Sequence, residues 1–258
     1  MIKLTRVQSE KQNAPKLFII AGGPGLSSNT LRELDLLKRS FELVYVDIQG
    51  TNGSVYAGKK SFSEIASALT DMITKESGEK FSLGHSFGGF LAADLLIQEA
   101  VSGLVCISTP FSQASLSAAN DNYNFYKTAA LINAENEWSK NQDDSSFAKW
   151  LSEYGLLYFN SPKGKEILVS DKVSSSFFKD NRSDVLDKEA LLLKLAQSGE
   201  RKIFIAGKED KLLPVSILEK DSMTGKFDFS QIEDASHFVT IDQPVMVAKI
   251  IESKLLKG

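Results

Sequence analysis

The chain has 258 residues, 42% hydrophobic and 24% charged, with a net charge of −3 and a pI near 5.6. That length suits one α/β domain with an inserted lid, or two small domains, and the composition is that of an ordinary soluble globular protein. The balance of charge provides no basic field for nucleic acid or an anionic membrane, and apolar runs such as Leu17-Phe18-Ile19-Ile20 fall far below the roughly 18 residues of a spanning helix.

The first residues, Met1 to Val7, are amphipathic and lack the apolar core of a signal peptide. Lys16 to Ala21 reads as a strand that leads into the loop Gly22-Gly23-Pro24-Gly25. Ser28 to Lys38 is helical, with Leu31, Leu34, Leu36 and Leu37 on one side, and Leu43 to Ile48 is the next strand. A polar loop runs to Lys60. Ser61 or Ser63 then caps a helix reaching about Lys75, in which Ile65, Ala68, Leu69, Met72 and Ile73 keep helical spacing. Phe81-Ser82-Leu83 is a strand that turns at Ser86 into a helix through about Glu99. Gly103 to Ser108 is another strand, punctuated by Pro110.

After Pro110 the alternation lapses until Lys202-Ile203-Phe204-Ile205-Ala206. The intervening third of the chain holds both tryptophans and half of the aromatics, with helices expected at 123–139, 145–159 and 186–197. A helical insertion between two strands reads as a lid over the sheet's C-terminal edge. Most of its aromatics are expected to pack the insertion's own core, and the rest to line a pocket. The last strand, Lys226 to Ile232, precedes a loop carrying His237 and a closing helix from Pro244 to Leu256. Strands alternating with helices predict an α/β fold with a mostly parallel sheet. Residues 1–110 and 200–258 form the core domain, and 111–199 form the helical cap.

The chain has only two histidines, His85 and His237, and both fall in chemistry-bearing motifs. Gly84-His85-Ser86-Phe87-Gly88-Gly89 contains Gly-x-Ser-x-Gly, which displays a serine on a sharp strand-to-helix bend. A serine hydroxyl needs a base to take its proton as it attacks, and near neutral pH that base is most often histidine. His237 fits the role, whereas His85, on the buried strand side of the elbow, reads as a structural, hydrogen-bonded residue. Asp210, in Gly207-Lys208-Glu209-Asp210-Lys211-Leu212-Leu213-Pro214, is the candidate acid to orient the imidazole. Glu209 and Asp234 compete with it. The oxyanion that forms on attack needs preorganised N–H donors, assigned to Phe87 and to Gly23. Cys106, the single cysteine, lies in a buried strand and reads as a small hydrophobe. It suits a reducing, cytoplasmic setting. No Cys/His cluster has metal-ligand spacing, so no metal and no cofactor are expected.

The order serine, acid, histidine, together with Leu83 through Gly89, the Gly-x-x-Asp-x-x-x-Pro stretch from Gly207 to Pro214, and His237 followed by Pro244, resembles the α/β-hydrolase superfamily over nearly the whole chain. That resemblance implies a helical cap after the sixth strand. Because little sequence precedes Lys16, it also implies that one or both leading antiparallel strands are reduced. Gly22-Gly23-Pro24-Gly25 looks more specifically like the proline-iminopeptidase group of serine aminopeptidases, and Asp47-Ile48-Gln49-Gly50-Thr51-Asn52-Gly53-Ser54 echoes a second segment of that group. Ala21, Gln49 and Phe87 depart from its histidine, arginine and tryptophan. The group binds a substrate's α-amine with cap glutamates, for which Glu135, Glu137 and Glu153 are candidates.

The resemblance implies a serine hydrolase acting through an acyl-enzyme on a small molecule or short peptide, with no nucleic-acid or membrane partner. Ser86, His237 and Asp210 form its triad. Aminopeptidase, carboxylesterase and carbon–carbon-bond hydrolase share this machinery. An acyltransferase and a non-catalytic ligand-binding protein on the same scaffold remain alternatives.

Overall fold

The computed structural model describes residues 1–160, 162–182 and 187–256. Strands β1 (Ile2–Val7), β2 (Lys16–Ile20), β3 (Glu42–Ile48), β4 (Lys80–His85), β5 (Gly103–Ile107), β6 (Arg201–Gly207) and β7 (Asp228–Ile232) build a seven-stranded sheet in the order β1-β3-β2-β4-β5-β6-β7. Only β1 is antiparallel, with Ile2 opposite Ile48 and Val7 opposite Leu43. The other neighbours are parallel. The inner strands are apolar on both faces because helices cover both: Leu17, Phe18, Ile19 and Ile20 of β2 are all buried. Each such side chain contributes about 1.5–3 kcal/mol through burial.

The helices are α1 (Phe62–Ile73), α2 (Gly88–Ile97), α3 (Gln113–Tyr126), α4 (Ala129–Asn141), α5 (Asp144–Tyr158), α6 (Pro162–Ser170), α7 (Ser175–Asn181), α8 (Lys188–Gln197), α9 (Val215–Thr224), α10 (Val239–Asp242) and α11 (Pro244–Leu255). A 3₁₀ helix, Ser28–Arg39, joins β2 to β3. In α1, Ser61 and Glu64 form a reciprocal capping box, and Phe62, Ile65, Ala66, Leu69 and Ile73 make the buried stripe. Helix α2 is buried nearly all round because it lies against β4 and β5 on one side and α8 on another.

The sequence-based expectations need correction at several places. The leading region needs none: one antiparallel strand, β1, precedes β2, in line with a reduced leading pair. The helix expected over 123–139 is two helices, because Thr128 adopts an extended conformation and its side chain accepts the Leu131 N–H, starting α4 afresh. Helix α3 begins ten residues earlier than expected, and α6 and α7 were not anticipated. The last strand starts at Asp228 rather than Lys226, since Lys226 takes a left-handed turn (φ 55°). Position 186, the expected start of the last insertion helix, lies outside the described residues, and α8 is described from Lys188.

Candidate active site

Strand β4 ends at His85, and the chain turns at Ser86 with φ 50°, a left-handed conformation that is uncommon for a residue with a side chain. Two main-chain bonds fix the bend: Ser86 N–H donates to Ile107 O (2.7 Å) at the end of β5, and Gly89 N–H donates to Ser86 O (2.9 Å). The flanking glycines are required by close approach. A Cβ on Gly84 would lie 2.2 Å from Gly88 O, and one on Gly88 would lie 2.3 Å from Ile20 O. Strand, helix and β2 therefore meet backbone to backbone, and Ser86 is left half-buried at the C-terminal edge of the sheet.

The loop after β2 runs past this bend. A Cβ on Gly22 would stand 3.1 Å from Ser86 Cβ. Gly23 follows with φ 113°. Among the described residues the N–H groups of Gly23 and Phe87 donate to no backbone acceptor. The Phe87 ring turns away into an apolar cluster, edge-on to Phe62, Phe90 and Phe177.

Asp210 follows β6 and collects three N–H donors. Its Oδ1 accepts Leu212 N–H and Leu213 N–H (both 2.9 Å), and its Oδ2 accepts His237 Nδ1–H at 2.8 Å. A carboxylate that accepts at Nδ1 fixes the proton there and leaves the lone pair on Nε2. That Nε2 is buried and has no partner among the described residues, so it is not bonded to Ser86 Oγ in this conformation. Glu209 turns outward and accepts from Asn160 Nδ2 (2.8 Å). Asp234 occupies a left-handed turn (φ 50°) before the histidine loop.

His237 lies beside the residue that precedes Ser86. His85 Nε2–H donates to His237 O (3.1 Å), and the two rings are 4.9 Å apart. His85 is fully buried and its Nδ1 has no partner among the described residues. Burial, and secondarily the neighbouring His237, hold the His85 pKa well below its usual 6.5. An unfolded chain therefore binds a proton here that the folded chain refuses. Stability is full above about pH 6.5 and falls as the pH drops below it, by up to about 1.4 kcal/mol per pH unit until the buried ring protonates. Urea unfolding between about pH 7.5 and about pH 5.5 should show this slope, and His85→Leu should flatten it. An unchanged slope in that variant would assign the effect to other groups.

Two features of the site had no sequence signal. Tyr158, at the end of α5, stacks its ring on His237 (5.1 Å, interplanar angle 15°), and its carbonyl accepts from Ser236 Oγ (2.8 Å). Behind it, Tyr154 and Trp150 continue a run of rings into the insertion. Tyr123, Glu135, Trp150 and Tyr154 line a hollow of about 220 Å³ there. Two larger hollows, about 820 Å³ each, lie elsewhere: one is lined by residues 78–80, 96–97, 99–102, 194 and 197–200, the other by Met1, Gln49 and residues of α1.

The second feature is Asp171, a buried carboxylate that joins the buried Asp47 at the start of the 3₁₀ helix. Asp47 accepts Ser28 N–H (2.8 Å) and Asp171 accepts Ser27 N–H (2.9 Å). Cys106 is buried in β5, and burial pushes its thiol pKa up, away from reactivity. Among the described residues no group of three His, Cys, Asp or Glu side chains could hold a metal ion, and no helix is long and apolar enough to cross a membrane.

Over 99% of its length the chain superposes on an esterase from Exiguobacterium antarcticum (17% identity, 96% of that chain, TM-score 0.71). A thermophilic esterase from Thermogutta terrifontis (17%, 99% of this chain and 93% of that one, TM-score 0.70) is comparably similar. So is a proline iminopeptidase from Mycobacterium smegmatis (16%, 99% and 95%, TM-score 0.68). The fold is that of the α/β-hydrolases. Residues 61–181 also match the PGAP1-like alpha/beta domain family, a span that holds Ser86 but neither Asp210 nor His237. No curated protein matches the sequence.

Placed on the α/β-hydrolase sheet, Ser86 follows β4, Asp210 follows β6, and His237 follows β7. All three lie beyond strand C-termini, where open α/β sheets gather their ligand-binding groups. The segment 111–199 enters after β5 and leaves before β6, carrying α3 to α8.

Proposed function

We propose that the protein is a serine hydrolase that works through an acyl-enzyme, with Ser86 as nucleophile, His237 as base and Asp210 as the group that orients it. The observation that supports this reading is the buried His237–Asp210 couple: its Nε2 has no partner among the described residues, and its ring lies 4.9 Å from that of His85, the residue before a serine presented on a left-handed bend. The reaction requires the Ser86 hydroxyl to reach Nε2, a contact that often tightens only when substrate binds. Oγ attacks the substrate carbonyl and its proton passes to Nε2. The N–H groups of Gly23 and Phe87 hold the oxyanion. Collapse expels the leaving group with that proton, and water repeats the sequence on the acyl-enzyme. Residues 111–199 act as the cap over this edge, and the substrate is a small molecule or short peptide. The one buried cysteine suits a cytoplasmic setting. A fluorophosphonate probe tests the assignment: labelling should map to Ser86, and labelling at another residue would refute it.

Within this class, one observation favours an aminopeptidase over a simple esterase. Of the three candidate glutamates, Glu137 is paired with Lys149 and Glu153 with Lys165, whereas Glu135 lines the aromatic hollow behind Tyr158 and, among the described residues, has only the Tyr123 hydroxyl on its carboxylate. A carboxylate framed by tyrosine and tryptophan rings favours an ammonium group. Gln49 and Phe87 mark the distance from the proline-iminopeptidase pattern. The Gln49 side chain instead binds the N-terminal amine, Ala57 N–H and Gly58 O. Glu135→Gln should lower kcat/KM for aminoacyl arylamides by about ten- to a hundredfold, the worth of a hydrogen bond to a charged group, and far less for acetyl esters. Equal loss on both substrates would favour the esterase.

A further inference from the structure

The insertion reaches the proposed oxyanion loop through a short segment between α6 and α7. Asp171, in that segment, is buried. Its two oxygens take the N–H and the hydroxyl of Ser27 as well as Lys172 N–H (2.9 Å). Three residues on, Ser174 N–H donates to Gly25 O (2.9 Å), and its hydroxyl donates to Gln49 O (2.8 Å). The fit is tight, since a Cβ on Gly25 would lie 2.6 Å from Ser174 O. The outgoing limb of the loop is thus held by the insertion. Its incoming limb is pressed against His85 and Ser86 at Gly22. Only Gly23 and Pro24 lie between these anchors.

Among the described residues Asp171 has no cationic partner. A carboxylate this buried is expensive to keep unless its hydrogen bonds are well made, and two of these three bonds come from Ser27, four residues from Gly23. We propose that Asp171 is a positioning residue that holds the Gly23 N–H in register with Ser86. This inference rests on Gly23 serving as an oxyanion donor, as proposed above. Asp171 touches no reacting atom; it acts through Ser27 and the loop. Asparagine at this position keeps the shape but can offer only one acceptor oxygen where two now accept, so one Ser27 donor is left facing an NH₂ group.

The test compares an oxoester with its thionoester analogue. Sulfur accepts hydrogen bonds weakly, so a working oxyanion hole favours the oxoester, and a displaced donor erodes that preference. A misplacement of this kind can lower kcat by about ten- to a hundredfold. Asp171→Asn should lose that much kcat on the oxoester with KM little changed, lose little on the thionoester, and bind phenylboronic acid more weakly in proportion. A folded variant with the wild-type oxoester-to-thionoester ratio, or with equal losses on both, overturns the proposal. If Asp171→Asn fails to fold, Ser27→Ala removes only the hydroxyl link and should move the ratio in the same direction; an unmoved ratio there overturns it too. Wild-type and Ser86→Ala controls separate the two levels. A wild type without Ser86-dependent hydrolysis defeats the enzymatic reading itself, whereas Ser86-dependent hydrolysis with an unmoved ratio defeats only the role of Asp171.

Discussion

Ser86→Ala is expected to lower kcat by about 10³- to 10⁶-fold on any ester or amide the protein turns over. The fold should tolerate the change. The bonds that shape the bend, Ser86 N–H to Ile107 O and Gly89 N–H to Ser86 O, belong to the main chain. Alanine also meets the left-handed φ of 50° with no more bulk than serine. What disappears is the proposed nucleophile. The proposed oxyanion donors, the N–H groups of Gly23 and Phe87, remain, so a residual rate above that of water is expected. Initial rates on p-nitrophenyl acetate, with unfolding midpoints matched to the wild type, measure the effect. A loss below about tenfold would place the nucleophile elsewhere. A wild type that neither reacts with a fluorophosphonate nor turns over substrate, yet binds a small ligand tightly, would instead favour the non-catalytic alternative.

How far the sequence could be read depended on how local each signal was. The inner strands were legible because runs such as Leu17 to Ile20 are buried on both faces and so appear unbroken in sequence. Helices α1 and α11 carried a cap or a leading proline and a clear apolar stripe. Helix α3 carried no such stripe: Ser115 is its only buried residue, so nothing periodic marked where it began. The break at Thr128 was written in one capping side chain, a weaker signal than the helical spacing on either side.

The site divides in the same way. The elbow is a contiguous motif and could be found by inspection. Glu209 and Asp210 compete in sequence because the two are neighbours; in the fold the turn sends Glu209 to Asn160 and Asp210 to His237. Tyr158 and Asp171 left no trace, since each acts across a long separation; Asp171 and Ser27 are 144 residues apart. Contacts of that kind are made by the fold rather than by any local pattern, and they are also the ones that tie the insertion to the sheet.

Asp210→Asn should be nearly as damaging as loss of the serine, about 10⁴-fold in kcat, with little change in KM. The reason lies in which way an amide would have to face. Oδ1 of Asp210 accepts two backbone N–H groups, from Leu212 and Leu213. An NH₂ group there would confront two donors, so asparagine must keep its oxygen on that side and turn its nitrogen toward His237 Nδ1. A donor facing Nδ1 demands the lone pair at that atom, which moves the imidazole proton to Nε2. The ring would keep its place between Tyr158 and His85 while Nε2 could no longer take a proton. Stability should fall less than activity, because the two backbone bonds survive. Kinetics on the purified variant, with the fluorophosphonate labelling rate measured in parallel, should show both reactions slowed together, since each needs the same deprotonation of Ser86. Labelling at the wild-type rate would mean that Asp210 does not set the tautomer of His237, and the proposed relay would have to be redrawn around another acid.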